Sequence, residues 1–215
     1  MRGVRKRCVG MLVVWMIVMG GTSAASANLL ANPGFDDNGG SFDGWSKFGN
    51  SFVETISPLS GTSHAKMFGN FTGGFNVTGV FQPFSAAPGD VFGLDGFSRH
   101  NSDDSIAGTG NTLVMKIAFF DAPTGGNEIG GNERTILDAS SPQDVWLNNQ
   151  EVFATAPAGT QRAEALFLFL QPGTEGGSAF VDDASFRQVP EPASLMLLGL
   201  GGLMTWRRRA LKVRS

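Results

Sequence analysis

No stretch of helix length between Asn28 and Val189 repeats an apolar residue every three to four positions. That absence removes the amphipathic helix from the parts this chain can build with. The segment carries instead short runs rich in Phe, Val and Ile, set between clusters of Gly, Asn, Asp and Pro. Such runs predict strands over Trp45–Phe52, Ser63–Phe68, Val77–Phe84, Val91–Arg99, Leu113–Phe120, Arg134–Leu137, Gln150–Thr155, Ala163–Leu170 and Phe180–Gln188. Strands joined by loops without intervening helices make an all-β chain, an antiparallel β-sandwich or jelly roll. LVMKIAFF (113–120) and ALFLFL (165–170) are apolar on both faces and read as central strands. The Gly-rich loops 101–111 and 121–133 are the expected mobile tips, where sandwiches often bind.

The N-terminal MRGVRKRCVGMLVVWMIVMGGTSAASA has a basic start, an apolar run from Val9 to Met19 and small residues closing on Ala25 and Ala27. That layout predicts a signal peptide over 1–27, cut after Ala27; an uncleaved anchor helix is the alternative, although the run is short for one. The lone cysteine, Cys8, falls inside it, so the exported body has no disulfide, thiolate metal site or cysteine nucleophile. The body, 28–188, is one β-sandwich domain, and about 160 residues bury about 70% of their unfolded surface without staples. Between residues 28 and 189 stand seven Lys and Arg against eighteen Asp and Glu. A body this acidic excludes nucleic acid as a partner and suits uptake of divalent cations.

Catalytic patterns are absent from the sequence. The two histidines, His64 and His100, belong to no spaced metal cluster and read as surface or turn residues, and neither a G-x-S-x-G elbow nor a phosphate-cradling loop appears. Loop acids such as Asp103, Asp104, Glu128 and Glu133 offer many carboxylate pairs of the kind glycoside hydrolysis needs, but no spacing selects one.

The opening NLLANPGFDD (28–37), the Gly44–Trp45 pair, SGTSHAKMFG (60–69), VFQPFSAAPGDVFGLDGFSR (80–99) and the closing SAFVDDASF (178–186) occur in an order that resembles galactose-binding-like jelly rolls of the carbohydrate-binding-module type. The resemblance implies one structural calcium ion pinning the first strand to the last through Asp36 and Asp182 with backbone carbonyls. Strand alternation places Asp182 on one face with Phe180, Ala184 and Phe186, so its carboxylate needs a cation or, as the alternative, hydrogen bonds from a neighbouring loop. Such modules grip sugars on exposed Trp and Tyr; the chain has no Tyr, which leaves Trp45 and Trp146 as candidate ligand-facing residues. Both also suit packing roles, and the 18 Phe read mostly as core.

At the C-terminal end, Val189-Pro190-Glu191-Pro192 precedes a charge-free stretch from Ala193 to Trp206 and then Arg207, Arg208 and Arg209. As a transmembrane helix that stretch spans about 21 Å, short of a hydrocarbon core of about 30 Å, and the arginines keep its end in the cytoplasm. Two prolines flanking one residue hold the junction extended, as a protease requires. The order of motif, apolar run and basic cluster over 189–215 resembles the PEP-CTERM sorting signal of Gram-negative bacteria. That resemblance implies transient anchoring in the inner membrane, processing by an exosortase and delivery to the cell surface and its exopolysaccharide. An ordinary tail anchor is the alternative. The sequence thus describes an exported, non-catalytic β-sandwich that binds extracellular polysaccharide in a biofilm; a purely structural matrix protein and a glycan hydrolase are the other readings.

Overall fold

Backbone amides that cannot pair along a helix must pair between strands. Over residues 27–190, the part that the computed structural model describes, they do so in eleven strands. These are β1 (Ser46–Phe48), β2 (Asn50–Glu54), β3 (His64–Phe68), β4 (Asn76–Ser85), β5 (Val91–Arg99), β6 (Thr112–Phe120), β7 (Glu128–Leu137), β8 (Leu147–Asn148), β9 (Val152–Thr155), β10 (Arg162–Gln171) and β11 (Ser178–Val189). One sheet runs β1-β4-β10-β6-β7; the other runs β2-β3-β11-β5-β8, with β9 also paired to β5. Every pairing is antiparallel. The expected all-β sandwich is what forms, and β10, expected to be central, lies mid-sheet.

Alternate residues of both sheets meet to form the core. Met115, Ile117 and Phe119 of β6 and Phe167 and Phe169 of β10 face Phe92 and Leu94 of β5 and Val181 and Phe186 of β11, all buried. Phe92 and Phe186 stack at 5.0 Å with ring planes 4° apart. Each fully buried ring contributes about 1.5–3 kcal/mol.

Three departures from sequence expectation matter. The predicted strand Trp45–Phe52 is two strands, broken at Gly49, whose φ of +67° favours glycine; β1 joins one sheet and β2 the other. The predicted loop 121–133 becomes strand from Glu128 onward, because Gly130 and Gly131, which read as turn residues, lie on an edge strand. Lys116 on β6 clamps that strand through Glu128 at 2.8 Å and Glu133 at 3.7 Å. The third departure is a bulge in β11: Asp182 pairs with Phe97 but Ser185 pairs with Asp95, so β11 carries one extra residue, and Asp183 sits at φ +45°. The bulge reverses the face on which side chains emerge. Ala184 and Phe186 enter the core, whereas Phe180 and Asp182 leave on the outer face, so the expected shared face of Phe180, Asp182, Ala184 and Phe186 is corrected.

Neither histidine is at the surface, contrary to expectation. His100 is fully buried, with Nε2 3.0 Å from the Ser141 carbonyl and Nδ1 3.3 Å from the Ser105 hydroxyl. His64 is 1% exposed, and neither ring nitrogen has a hydrogen-bond partner. Its ring meets Phe180 at 5.0 Å and Trp146 at 5.4 Å, both edge-on. Burial lowers its pKa to about 4, with Arg99 and Lys66 adding to the effect and Glu54 opposing it. The unfolded chain, with a pKa near 6.5, therefore takes up the proton first as pH falls. Stability from neutral His64 is complete above about pH 6.5 and lost as pH falls toward 4. Relative to a His64→Gln variant followed by urea unfolding, the native chain should lose on the order of 3 kcal/mol between those limits. Parallel pH profiles for the two proteins would contradict this.

Candidate functional site

Loop 55–63, between β2 and β3, has no regular pairing of its own, and its amides are satisfied by carboxylates. Asp36 Oδ1 accepts from the Thr62 amide at 2.6 Å and the Ser63 amide at 2.9 Å, and from both hydroxyls. Asp182 Oδ2 accepts from the Leu59 amide at 2.8 Å and the Ser60 amide at 3.3 Å, while its Oδ1 takes the Asp183 amide at 2.8 Å. Ser60 donates its hydroxyl to Asp183 Oδ1 at 2.8 Å. The two aspartates expected to act together, 146 positions apart in sequence, thus meet across one loop. Burial pushes the fully buried Asp182 carboxyl up to about 6, against the pull of its three amide donors, and the neighbouring Asp183 charge pushes the same way. At Asp36 burial also raises the pKa, but the amides and hydroxyls of Thr62 and Ser63 outweigh it, and the net shift is downward.

Side-chain oxygens of Asp36, Asp182 and Asp183 all lie within 3.5 Å of the position that a Cβ on Gly34 would take. The three atoms nearest to that position are all carboxylate oxygens, the donor type a calcium ion requires. Among the described residues no three Asp, Glu, His or Cys side chains form a closed cage. Asp36 and Asp182 would supply only part of a calcium shell. The same donor set shows that hydrogen bonding by the loop already occupies much of both carboxylates.

Trp45 is 7% exposed, packs at a tilt against Phe35 at 5.1 Å, lies 6.3 Å from Phe167 and donates its indole N–H to the Asn32 carbonyl at 3.0 Å. It is a core residue, and the ligand-facing role set out for it does not fit. Trp146 is half-buried, covers His64 and donates to the Ser57 carbonyl at 3.2 Å, which ties it to the same loop.

The exposed aromatic surface is built from phenylalanine, which the composition argument assigned to the core. On the outer face of the second sheet, Phe52 of β2 is 49% exposed and stacks on Phe68 of β3 at 5.5 Å with planes 8° apart. Phe71, 47% exposed, lies 6.3 Å beyond Phe68. Phe68 and Phe71 line a groove of about 300 Å³ with Lys66, Asp104, Gly176 and Gly177. Lys66 Nζ stands 3.4 Å from Asp104 Oδ2 and 5.6 Å from the centre of the Phe180 ring. Ser178, the cross-strand partner of Phe68, is fully buried and its hydroxyl has no partner. Two signals in the sequence could have found these rings: Phe52 alternates with inward Ser51 and Val53, and Phe71 is a large ring in a run of Asn, Thr and Gly.

One carboxylate pair stands apart from the solvated loop acids. Burial, and next the Glu151 charge, raise the pKa of Asp95, with Arg187 opposing. Glu151, however, is held by Arg187 at 2.7 Å, which commits it to an ion pair.

Residues 188–209 match the PEP-CTERM protein-sorting motif, which marks an exported, cell-surface protein processed by an exosortase. Within the match, Gln188 and Val189 are the last paired residues of β11, opposite Phe92 and Val91. Glu191, Pro192, the apolar run, Arg207, Arg208, Arg209 and the leader through Ala25 lie outside the described residues. No helix among the described residues is long and apolar enough to cross a membrane. No curated protein sequence matches the chain. Among solved structures it is similar to the enzymatically active domain of tailspike protein 4 of bacteriophage CBA120, with a TM-score of 0.54 and 16% identity over 75% of this chain. The chain spans only 21% of that tailspike chain. It is also similar to a family 61 carbohydrate-binding module in complex with β-1,4-galactotriose, with a TM-score of 0.49, 18% identity, and coverage of 76% and 99% of the two chains. For the CBM22-1 xylan-binding domain of Paenibacillus barcinonensis Xyn10C the figures are 0.48, 14%, 78% and 99%. At 16% identity the likeness to the tailspike domain shows the fold alone.

Proposed function

We propose that this chain is a non-catalytic carbohydrate-binding protein, exported through its leader, sorted by an exosortase and held in extracellular polysaccharide at the surface of a Gram-negative bacterium. The groove carries the reading. It joins exposed aromatic faces to a Lys–Asp pair and buried polar groups, the mix of apolar platform and few polar anchors by which proteins hold small rings. The sorting motif supplies the address, and the resemblance of the opening and closing segments to carbohydrate-binding modules supports the ligand class. The ion pair that holds Glu151 favours binding over hydrolysis, because a carboxylate locked to arginine is a poor proton carrier. In this account the protein helps retain biofilm exopolysaccharide, with the inner membrane only a transient stop.

A glycan array probed with the purified protein should show discrete hits, and no reducing ends should be released from the polysaccharides it binds. An array without hits would leave the purely structural matrix role; released reducing ends would restore the hydrolase.

We also propose that Asp36 and Asp182 hold one structural calcium ion against the loop, with no part in chemistry. Calcium should raise the melting temperature and a chelator should lower it; an unchanged melting curve would remove the ion from the account.

A further inference from the structure

Phe71 occupies a backbone conformation that its side chain disfavours. Its φ is +55°, in the left-handed region that a bulky residue enters at a cost of about 1–3 kcal/mol. The surrounding residues enforce it. The Phe71 amide donates to Gln171 Oε1 at 2.9 Å, Asn76 Nδ2 donates to the same oxygen at 2.9 Å, and Gln171 Nε2 donates to the Glu175 carbonyl at 2.7 Å. Gly69 lets the chain pass directly over the buried Gln171 amide, where any Cβ would collide. A fully buried glutamine thus organises loop 69–76 so that one ring stands half-exposed at the groove mouth. Strain of this kind persists where the fold over-determines it, and here its product is a presented aromatic face.

Charge narrows what that face can meet. Five of the seven cations in the body are in ion pairs: Lys66, Arg99, Lys116, Arg162 and Arg187. Of the other two, Lys47 lies over the Phe42 and Phe52 rings and donates to the Ser51 carbonyl, and Arg134 donates to Gln150. The one cation lining the groove is Lys66, already matched by Asp104. A polyanionic glycan would have to break that pair and approach a body with eighteen carboxylates against seven cations. A neutral sugar has no such cost. Its hydroxyls both donate and accept, so adjacent ones can accept from Lys66 and donate to Asp104 while the pair stays intact. Its C–H face can rest on the Phe71 ring.

From this juxtaposition we infer that the groove takes a neutral pyranose of the matrix polysaccharide, with Phe71 as the stacking platform and the Lys66–Asp104 pair as the hydroxyl reader. The volume of about 300 Å³ admits roughly one or two rings. The inference rests on the carbohydrate-binding reading above and adds the ligand class and the residues.

Affinity electrophoresis of the purified protein through neutral galactan, glucan and xylan, and through alginate and polygalacturonate, tests it. At least one neutral polymer should retard the protein, equally from about 0.05 to about 0.5 M NaCl, since no net charge is neutralised. Phe71→Gly and Phe71→Asn both tolerate a positive φ, so both should keep the native melting temperature within a few degrees while weakening binding about tenfold. Retardation by the anionic polymers alone, abolished by salt, would overturn the neutral class and leave carbohydrate binding standing. Undiminished neutral binding in both folded variants would move the site away from Phe71. No retardation by any polymer, with no glycan-array hit, would sink both readings.

Discussion

The bulge at Asp183 is the constraint on which the rest of this sandwich depends. An unbroken β11 would send Asp182 into the inter-sheet core with Ala184 and Phe186, where a carboxylate could not be accommodated, or would expose Phe186. One inserted residue satisfies both requirements. Downstream, Phe186 stacks on Phe92; upstream, Asp182 turns outward and collects the amides of Leu59 and Ser60. Asp36 does the same for Thr62 and Ser63 from the other end of the chain. The irregular loop 55–63 becomes fixed structure without secondary structure of its own.

The consequences run along the β3–β11 pair. At one end the latched loop offers the Ser57 carbonyl to Trp146 and Arg99, which closes a lid over His64 and keeps that imidazole dry. At the other end the same two strands present Phe68 beside Ser178, with Gly177 and Phe71 flanking them, and Lys66 lies between. A single strand pair therefore joins the part of the molecule that needs rigidity to the part that offers a surface. The sorting motif begins in the last paired residues of β11, so the element that carries latch and groove also leads into the exported chain's processing signal.

Much of the architecture was legible in the sequence because its cause is local. Period-two apolar runs and Gly, Asn and Pro punctuation specify strands and turns, and the two apolar segments were recognisable as central. Asp36 and Asp182 could be paired in advance through a motif resemblance, yet the alternation argument for Asp182 failed, since a bulge has no signature in side-chain alternation. The histidines were misplaced for a related reason: what buries His64 and His100 is loop chain folded over from residues 55–63 and 138–147, a long-range contact invisible to local pattern. Trp45 and Trp146 drew attention as the usual sugar platforms, while the exposed rings include Phe52 and Phe71, because phenylalanine's ordinary preference for the core masks the minority that stays outside.

Hydrogen exchange of individual backbone amides measures the latch most directly. If the carboxylates of Asp36 and Asp182 hold loop 55–63 as described, the amides of Leu59, Thr62 and Ser63 exchange as slowly as those of the adjoining β3, although no strand pairs with them. Exchange at the rate of an open loop, with β3 still protected, would contradict the account.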